Sequence, residues 1–396
     1  MNNALNNRRE PRFILVKRAQ MTRWQSFLLN LSAVAIAIIA GGILILCIGK
    51  NPFTFYGTII AGCFKTPLAV KSLIRIVVPL LIASLGVIPA FRMKFWNIGG
   101  EGQFIMGAVC SSAVALFFPA DTPHHLLLIC MGLAGIIGGG LWALIPAFFK
   151  CRFSTNETLL TLMFNYIALY VVQYLRDGPW RDPSAGGFPK IAKFPENAWL
   201  DQLFGVDISW IIGAALVIFI AVYLRNTKHG YEIAVVGESV NTARYAGMNV
   251  EAVIMRTMFI SGAVTGLGGM LQVSGEATSH TLSMGIASGV GFTAIIVVWL
   301  ANLNPFATVA VAVLIGMLDK GCGVAQSTYG LSSAVSSILK GIILFAVLGA
   351  MFFTGYKLVR RKNSGQTNAG TISHAHTERS SGNIQDENAS NGGKNK

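Results

Sequence analysis

The sequence predicts an all-α, polytopic integral membrane protein of about ten transmembrane helices, and three observations carry that prediction. Hydrophobic residues make up 53% of the chain and charged residues only 12%, about half the usual charged share of a soluble domain. The mean hydropathy is +0.58, more apolar side chain than a water-facing surface of this size could cover. The apolar runs are long and do not alternate with period two. Lipid cannot satisfy a free backbone amide, so helices are favoured over an open sheet, and the missing alternation disfavours a barrel.

A hydrocarbon core of about 30 Å takes roughly 17–25 residues of helix. Runs that approach this length lie at 27–48, 76–91, 104–118, 126–149, 158–175, 208–224, 258–273, 289–303, 306–318 and 341–356. The first starts near Phe27 and is long enough to span, so it reads as a retained helix rather than a cleaved leader. Residues 1–26 form a basic arm, 27–356 the membrane domain, and 357–396 a polar tail whose Asn/Ser/Gly-rich stretch predicts disorder. With ten spans and both ends inside, the internal segments hold Arg8, Arg9, Arg12, Arg92, Lys94, Lys150, Arg152, Arg225 and Lys228, a bias that matches the positive-inside rule. The same distribution explains the net charge of +14 without nucleic acid, since no basic patch is interleaved with aromatics. The external segment 176–207 reads as a compact cap, a partner contact or a plain connector. Six scattered cysteines form no CxxC pair, so no metal site is expected.

Polar groups inside such runs are expensive and mark function. Asn97, Glu101 and Gln103 sit in the Gly-rich stretch Trp96–Gln103 that opens the third run. Three glycines in four residues interrupt regular helix, giving either an element of a transport path or an ordinary loop with Glu101 in a first turn. Asn156 and Glu157 open the fifth run, with Ser154 or Thr155 suited to cap it, and Asn165 falls mid-span. A second Gly-rich break, Ser283–Gly291, follows Glu276 and His280 and precedes the eighth run. The third and eighth runs occupy equivalent places in two five-helix halves, the pattern of inverted repeats with half-helix ends near a solute site. Two GxxxG spacings, Gly135/Gly139 and Gly262/Gly266, allow close helix approach, within one chain or between two. The long internal loop 225–256 carries a two-turn helix, with Ser239 or Asn241 as its cap and Gly247 beyond its end. That helix either docks in a partner's groove or lies on the membrane surface. No GxxxxGK[ST] loop is present, so the chain is not expected to hydrolyse ATP itself or to be an enzyme.

Four stretches in order resemble the permeases of bacterial ATP-binding-cassette importers for nucleosides, simple sugars and branched-chain amino acids. They are FWNIGGEGQFIMGA (95–108), TNETLLTLMFNYIA (155–168), ARYAGMNV (243–250) and GVGFTAIIVVWLANLNPFA (289–307). The nucleoside branch is the better match, because NxGxEGQ is followed by TNE. Departures are Phe164 where Leu is commoner, Thr293-Ala294 where Asp-Gly is commoner, and the bulky Trp299. The resemblance implies a permease subunit in a bacterial cytoplasmic membrane, working by alternating access. It also implies a second permease, two cytoplasmic ATPases holding ATP and Mg2+, and an extracytoplasmic substrate-binding lipoprotein. Expected pathway residues are Asn97, Glu101, Gln103, Asn165 and Glu276. Expected ATPase-coupling residues are Glu238, Arg244, Tyr245 and Gly247. A branched-chain amino acid permease is the near alternative. An ion-coupled transporter is the distant one, for which Glu276, His280, Asp319 and Lys320 lie only at span ends.

Overall fold

A computed structural model describes residues 13–17, 23–119, 121–275, 280–332 and 356–360, with scattered positions between 334 and 349. The chain divides into one unit of residues 1–26 with 352–396 and a second of residues 27–351. In the first, β1 (Phe13–Lys17) pairs antiparallel with β4 (Tyr356–Arg360), Phe13 opposite Arg360. Residues 357–360, expected to begin a disordered tail, are thus strand: Leu358 and Val359 are apolar residues flanked by cations, unlike the Asn/Ser/Gly-rich stretch beyond.

The second unit is helical. Its elements are α1 (Arg23–Cys47), α2 (Pro52–Phe64), α3 (Pro67–Arg92), α4 (Gly100–Phe117), α5 (His124–Phe153) and α6 (Glu157–Asp177). After the cap segment come α7 (Ser209–Asn226), α8 (Lys228–Glu238), α9 (Val240–Tyr245), α10 (Val250–Ser274), α11 (Val290–Leu300) and α12 (Pro305–Tyr329). Among the described residues seven helices are long and apolar enough to cross a membrane, and eight if α1 and α2 form one bent span. Against the expected ten, two runs differ in the structure and a third is not tested by the described residues. The first run continues into α2 after a bend of 114°, where Asn51 accepts from the Phe53 amide and Pro52 starts a new helix. The eighth run yields only the 11 residues of α11, about 16 Å of helix and half a bilayer core. The tenth run, 341–356, falls mostly outside the described residues.

Burial separates an inner layer from an outer one. The apolar windows of α3 and α4 are 83% and 67% buried, whereas that of α6 is 22% buried and those of α5 and α12 are 33% buried. The outer helices turn Leu133, Ile137, Leu141, Tyr166 and Tyr170 outward, as lipid contact requires. The inner layer is held by backbone approach. The two GxxxG pairs pack on each other: a Cβ at Gly262 would lie 2.3 Å from the Gly139 carbonyl, and one at Gly266 2.3 Å from the Gly135 carbonyl. α5 and α10 thus meet glycine to glycine within one chain.

The segment between α6 and α7 is a compact cap. A short hairpin, β2 (Gln202–Leu203) with β3 (Val206–Asp207), closes it, and Ile191, Phe194 and Ala198 are buried. Trp199 stacks on His280 at 4.2 Å between ring centres and donates its indole N–H to the Phe194 carbonyl.

Candidate functional site

The Gly-rich break before α4 is stitched to its neighbours by side chains. The Asn97 Oδ1 accepts from the Gly99 amide (2.9 Å) and from Gln103 Nε2 (3.1 Å), while its Nδ2 donates to Ser261 on α10 (3.2 Å). From α6, Asn165 Oδ1 accepts from the Gly102 amide (2.8 Å) and its Nδ2 donates to the Ile98 carbonyl (2.9 Å). Thr161 accepts from the Ile98 amide (3.2 Å). A broken helix leaves unpaired amides and carbonyls that lipid cannot satisfy, and these side chains stand in for the missing turn. Asn97, Gln103 and Asn165 are each buried.

Glu101 reaches in the opposite direction. Its two carboxylate oxygens accept from the Gly289 and Gly291 amides, both at 2.7 Å, at the start of α11. The backbones nearly touch, since a Cβ on Gly291 would lie 2.1 Å from the Glu101 nitrogen. The N-termini of α4 and α11 therefore meet inside the protein with one carboxylate between them. Each end carries about half a positive charge and unpaired amides, so a negative group placed there is stabilised by both. Sequence reasoning placed these two breaks in equivalent positions; their direct contact is a finding of the structure.

Beside that junction, α3, α11 and α12, with Ser337 and Gly341 beyond them, line a part-open cavity of about 280 Å³. Ile76, Leu80, Val290 and Ile315 supply apolar wall; Ser288, Thr293 and Asp319 supply polar groups. None of Asn97, Glu101, Gln103 or Asn165 lines it; the four come together around the break before α4, and Glu101 alone of them reaches the start of α11. Glu276 lies outside the described residues. Each polar lining residue carries some sequence signal: Ser288 lies within the second Gly-rich break, Thr293 is a departure from the family pattern and Asp319 is an ionisable residue at a span end.

At the opening of α6 the cap is Asn156, which accepts from the Leu159 amide (3.2 Å), in place of the expected Ser154 or Thr155. Ser154 is instead the left-handed end of α5, with φ +52°. Glu157 pairs with Lys150 at 2.7 Å.

The loop 225–256 contains two short helices where one was expected. Thr227 caps α8, and Ser239 caps α9 by accepting from the Thr242 amide (3.2 Å). Gly247 follows α9 with φ +75°, a left-handed position that glycine adopts without strain. Ala243 is the buried anchor of α9, while Glu238 and Arg244 are exposed and Tyr245 is 93% exposed. α8 carries that surface to the interior: a Cβ on its Gly237 would lie 2.3 Å from the Arg92 carbonyl, at the last turn of α3. Burial holds the His229 imidazole on α8 below its ordinary pKa, and Tyr223 is its hydrogen-bond partner.

A model of the family described as "Branched-chain amino acid transport system / permease component" matches residues 69–348. The chain belongs to this family. The permease is 32% identical over 333 residues to the guanosine ABC transporter permease protein NupP of Bacillus subtilis, covering 82% of this chain and 94% of that protein. It is 26% identical to the glucose ABC transporter permease protein TsgB13 of Haloferax volcanii, over 86% of this chain and 92% of that one. A second Bacillus subtilis protein, the guanosine ABC transporter permease protein NupQ, is 28% identical over 60% of this chain and 76% of its own length.

Proposed function

We propose that the permease imports a nucleoside, driven by ATPase subunits that it does not itself contain. The solute class follows from NupP and NupQ, both named for guanosine; TsgB13, named for glucose, keeps a simple sugar as the second reading. The cavity between α3, α11 and α12 suits either. Its volume lies just below the roughly 300–1,000 Å³ of small-molecule sites, and Ser288, Thr293 and Asp319 give its wall a polar side.

One observation carries the mechanism: an unbroken line of packed backbone leads from the exposed α9 to the cavity wall. α9 continues from α8, α8 rests on the end of α3 through Gly237, and the break after α3 holds α11 through Glu101. An ATPase that grips Tyr245 and Arg244 displaces α8, and with it the break that positions α11. Asn97, Gln103 and Asn165 then serve the pathway by keeping that break rigid. Alternating access requires that the two positions of α11 differ in affinity for the solute. Both termini and α9 lie on the cytoplasmic side in this reading, the chain sits in the cytoplasmic membrane, and a substrate-binding lipoprotein delivers solute to the opposite face. NupP and NupQ, two permease proteins of one organism named for one solute, favour a heteromeric permease pair.

The test is ATP-driven uptake into vesicles containing the permease, its partner permease and their ATPase, with the binding lipoprotein added outside. Labelled guanosine should accumulate, and unlabelled nucleosides should compete while glucose and leucine do not. Glucose accumulation without guanosine accumulation would replace the nucleoside reading with the sugar one.

A further inference from the structure

Away from the cavity, three side chains with metal-binding atoms come together where the cap segment meets the start of α5. His124, His125 and Asp201 each offer a donor atom, and these atoms lie within 4.8 Å of one another. The decisive feature is the hydrogen bonding of His124. Its Nδ1 lies 2.9 Å from the backbone carbonyl of Asn197, which can only accept, so this nitrogen carries the proton. Its Nε2 lies 3.1 Å from the Asp201 carboxylate, which is again only an acceptor. Both ring nitrogens therefore face acceptors, a geometry met either by an imidazolium that donates to both or by a ring whose Nε2 shares a metal cation with the Asp201 carboxylate. A carbonyl that fixes one ring nitrogen and frees the other is the usual outer support of a metal-bound histidine.

We propose that His124, His125 and Asp201 form a site for a divalent transition metal, Zn2+ by its donor set, that fastens the cap to the membrane domain. Zn2+ takes nitrogen and carboxylate oxygen about 2.1 Å away, which puts tetrahedral neighbours about 3.4 Å apart. His124 Nε2 and Asp201 Oδ1 lie at an ion-pair distance of 3.1 Å and need to separate by only about 0.3 Å to form such an edge. The His125 ring stands edge-on at 5.0 Å from the His124 ring and is exposed, so rotation about its side chain brings the third donor in. Water fills the fourth position. Two imidazoles with one carboxylate select Zn2+ over Mg2+, which demands six oxygens. The carboxylate offsets the positive end of α5, which otherwise opposes a cation there. The two sides of the site also meet where Asn197 Nδ2 donates to the Thr122 carbonyl at 3.1 Å. The site is independent of which solute the permease carries.

The experiment uses the full-length permease carrying His374→Ala and His376→Ala, which removes the histidines of the C-terminal tail as competing ligands. After chelator treatment in micelles it is titrated with Zn2+, then separately with Mg2+, by calorimetry and by thermal unfolding. One Zn2+ per chain and a raised Tm reversed by chelator are expected, with no response to Mg2+. His125→Ala, whose exposed ring leaves the fold intact, and Asp201→Asn should each weaken Zn2+ binding by at least about tenfold. Absence of saturable Zn2+ binding, an equal response to Mg2+, or unchanged affinity in both variants would overturn the proposal.

Discussion

Replacing Glu101 by Gln removes the charge from the junction of α4 and α11 while keeping nearly the same shape. Glu101 makes two charge-assisted hydrogen bonds, to the Gly289 and Gly291 amides. Gln keeps one acceptor oxygen and turns an NH2 toward the other amide, so one such bond, worth about 1.5–3 kcal/mol, is lost. The carboxylate's attraction for the two helix ends goes with it, adding up to about 1 kcal/mol for each end. Together the change disfavours the docked position of α11 by roughly 1.5–5 kcal/mol, on the order of ten- to a few thousandfold in its equilibrium, at about 1.4 kcal/mol per tenfold. ATP-driven guanosine uptake in reconstituted vesicles should fall by at least tenfold while ATPase subunits still co-purify. Uptake within twofold of the parent, at equal amounts of inserted protein, would refute the role given to this carboxylate.

Tyr245→Ala should leave thermal stability unchanged, because the ring is 93% exposed, yet abolish the stimulation of ATPase activity by solute-loaded binding protein. Gly262→Val places atoms within 2.3 Å of the Gly139 carbonyl; overpacking of this kind costs about 1–3 kcal/mol or more and should lower the Tm measured in micelles. His229 is held neutral by burial, so the unfolded chain binds its proton more readily than the folded one. Its share of stability is present above about pH 6.5, the ordinary histidine value, and is lost as pH falls below it. A His229→Gln variant should show a smaller loss of Tm between pH 7.5 and 5.5 than the parent.

Much of this arrangement is legible in the sequence because its signals are local. The Ser239 cap with Gly247 eight residues on marks α9 within a turn, and the Gly-rich stretches mark both helix breaks. Even the GxxxG spacings, ambiguous between one chain and two, name the four glycines that meet. What stays hidden depends on distant partners or on short elements. α2 has 13 residues and escapes a criterion built on full spans, while the apolar flank of α11 makes a half-length helix look complete. Thr161 and Ser261 look like ordinary helix residues until Ile98 and Asn97 arrive against them. Gly237 has no motif at all, and His124 lies 77 positions from Asp201. Spacing likewise identifies Asn97, Glu101, Gln103 and Asn165 as costly and therefore meaningful, but not which groups the fold brings to them.

The carboxylate shared by α4 and α11 has a consequence for how the chain is made. Its amide partners lie 188 and 190 positions further along. At about 5–20 residues per second, a ribosome delivers them roughly ten to forty seconds after Glu101 emerges. Through that interval only water can solvate the group, so the start of α4 cannot settle at its final depth when α4 is first inserted. The α4–α11 junction therefore closes only after α10 is made, when the arrival of α11 withdraws both helix starts from water together.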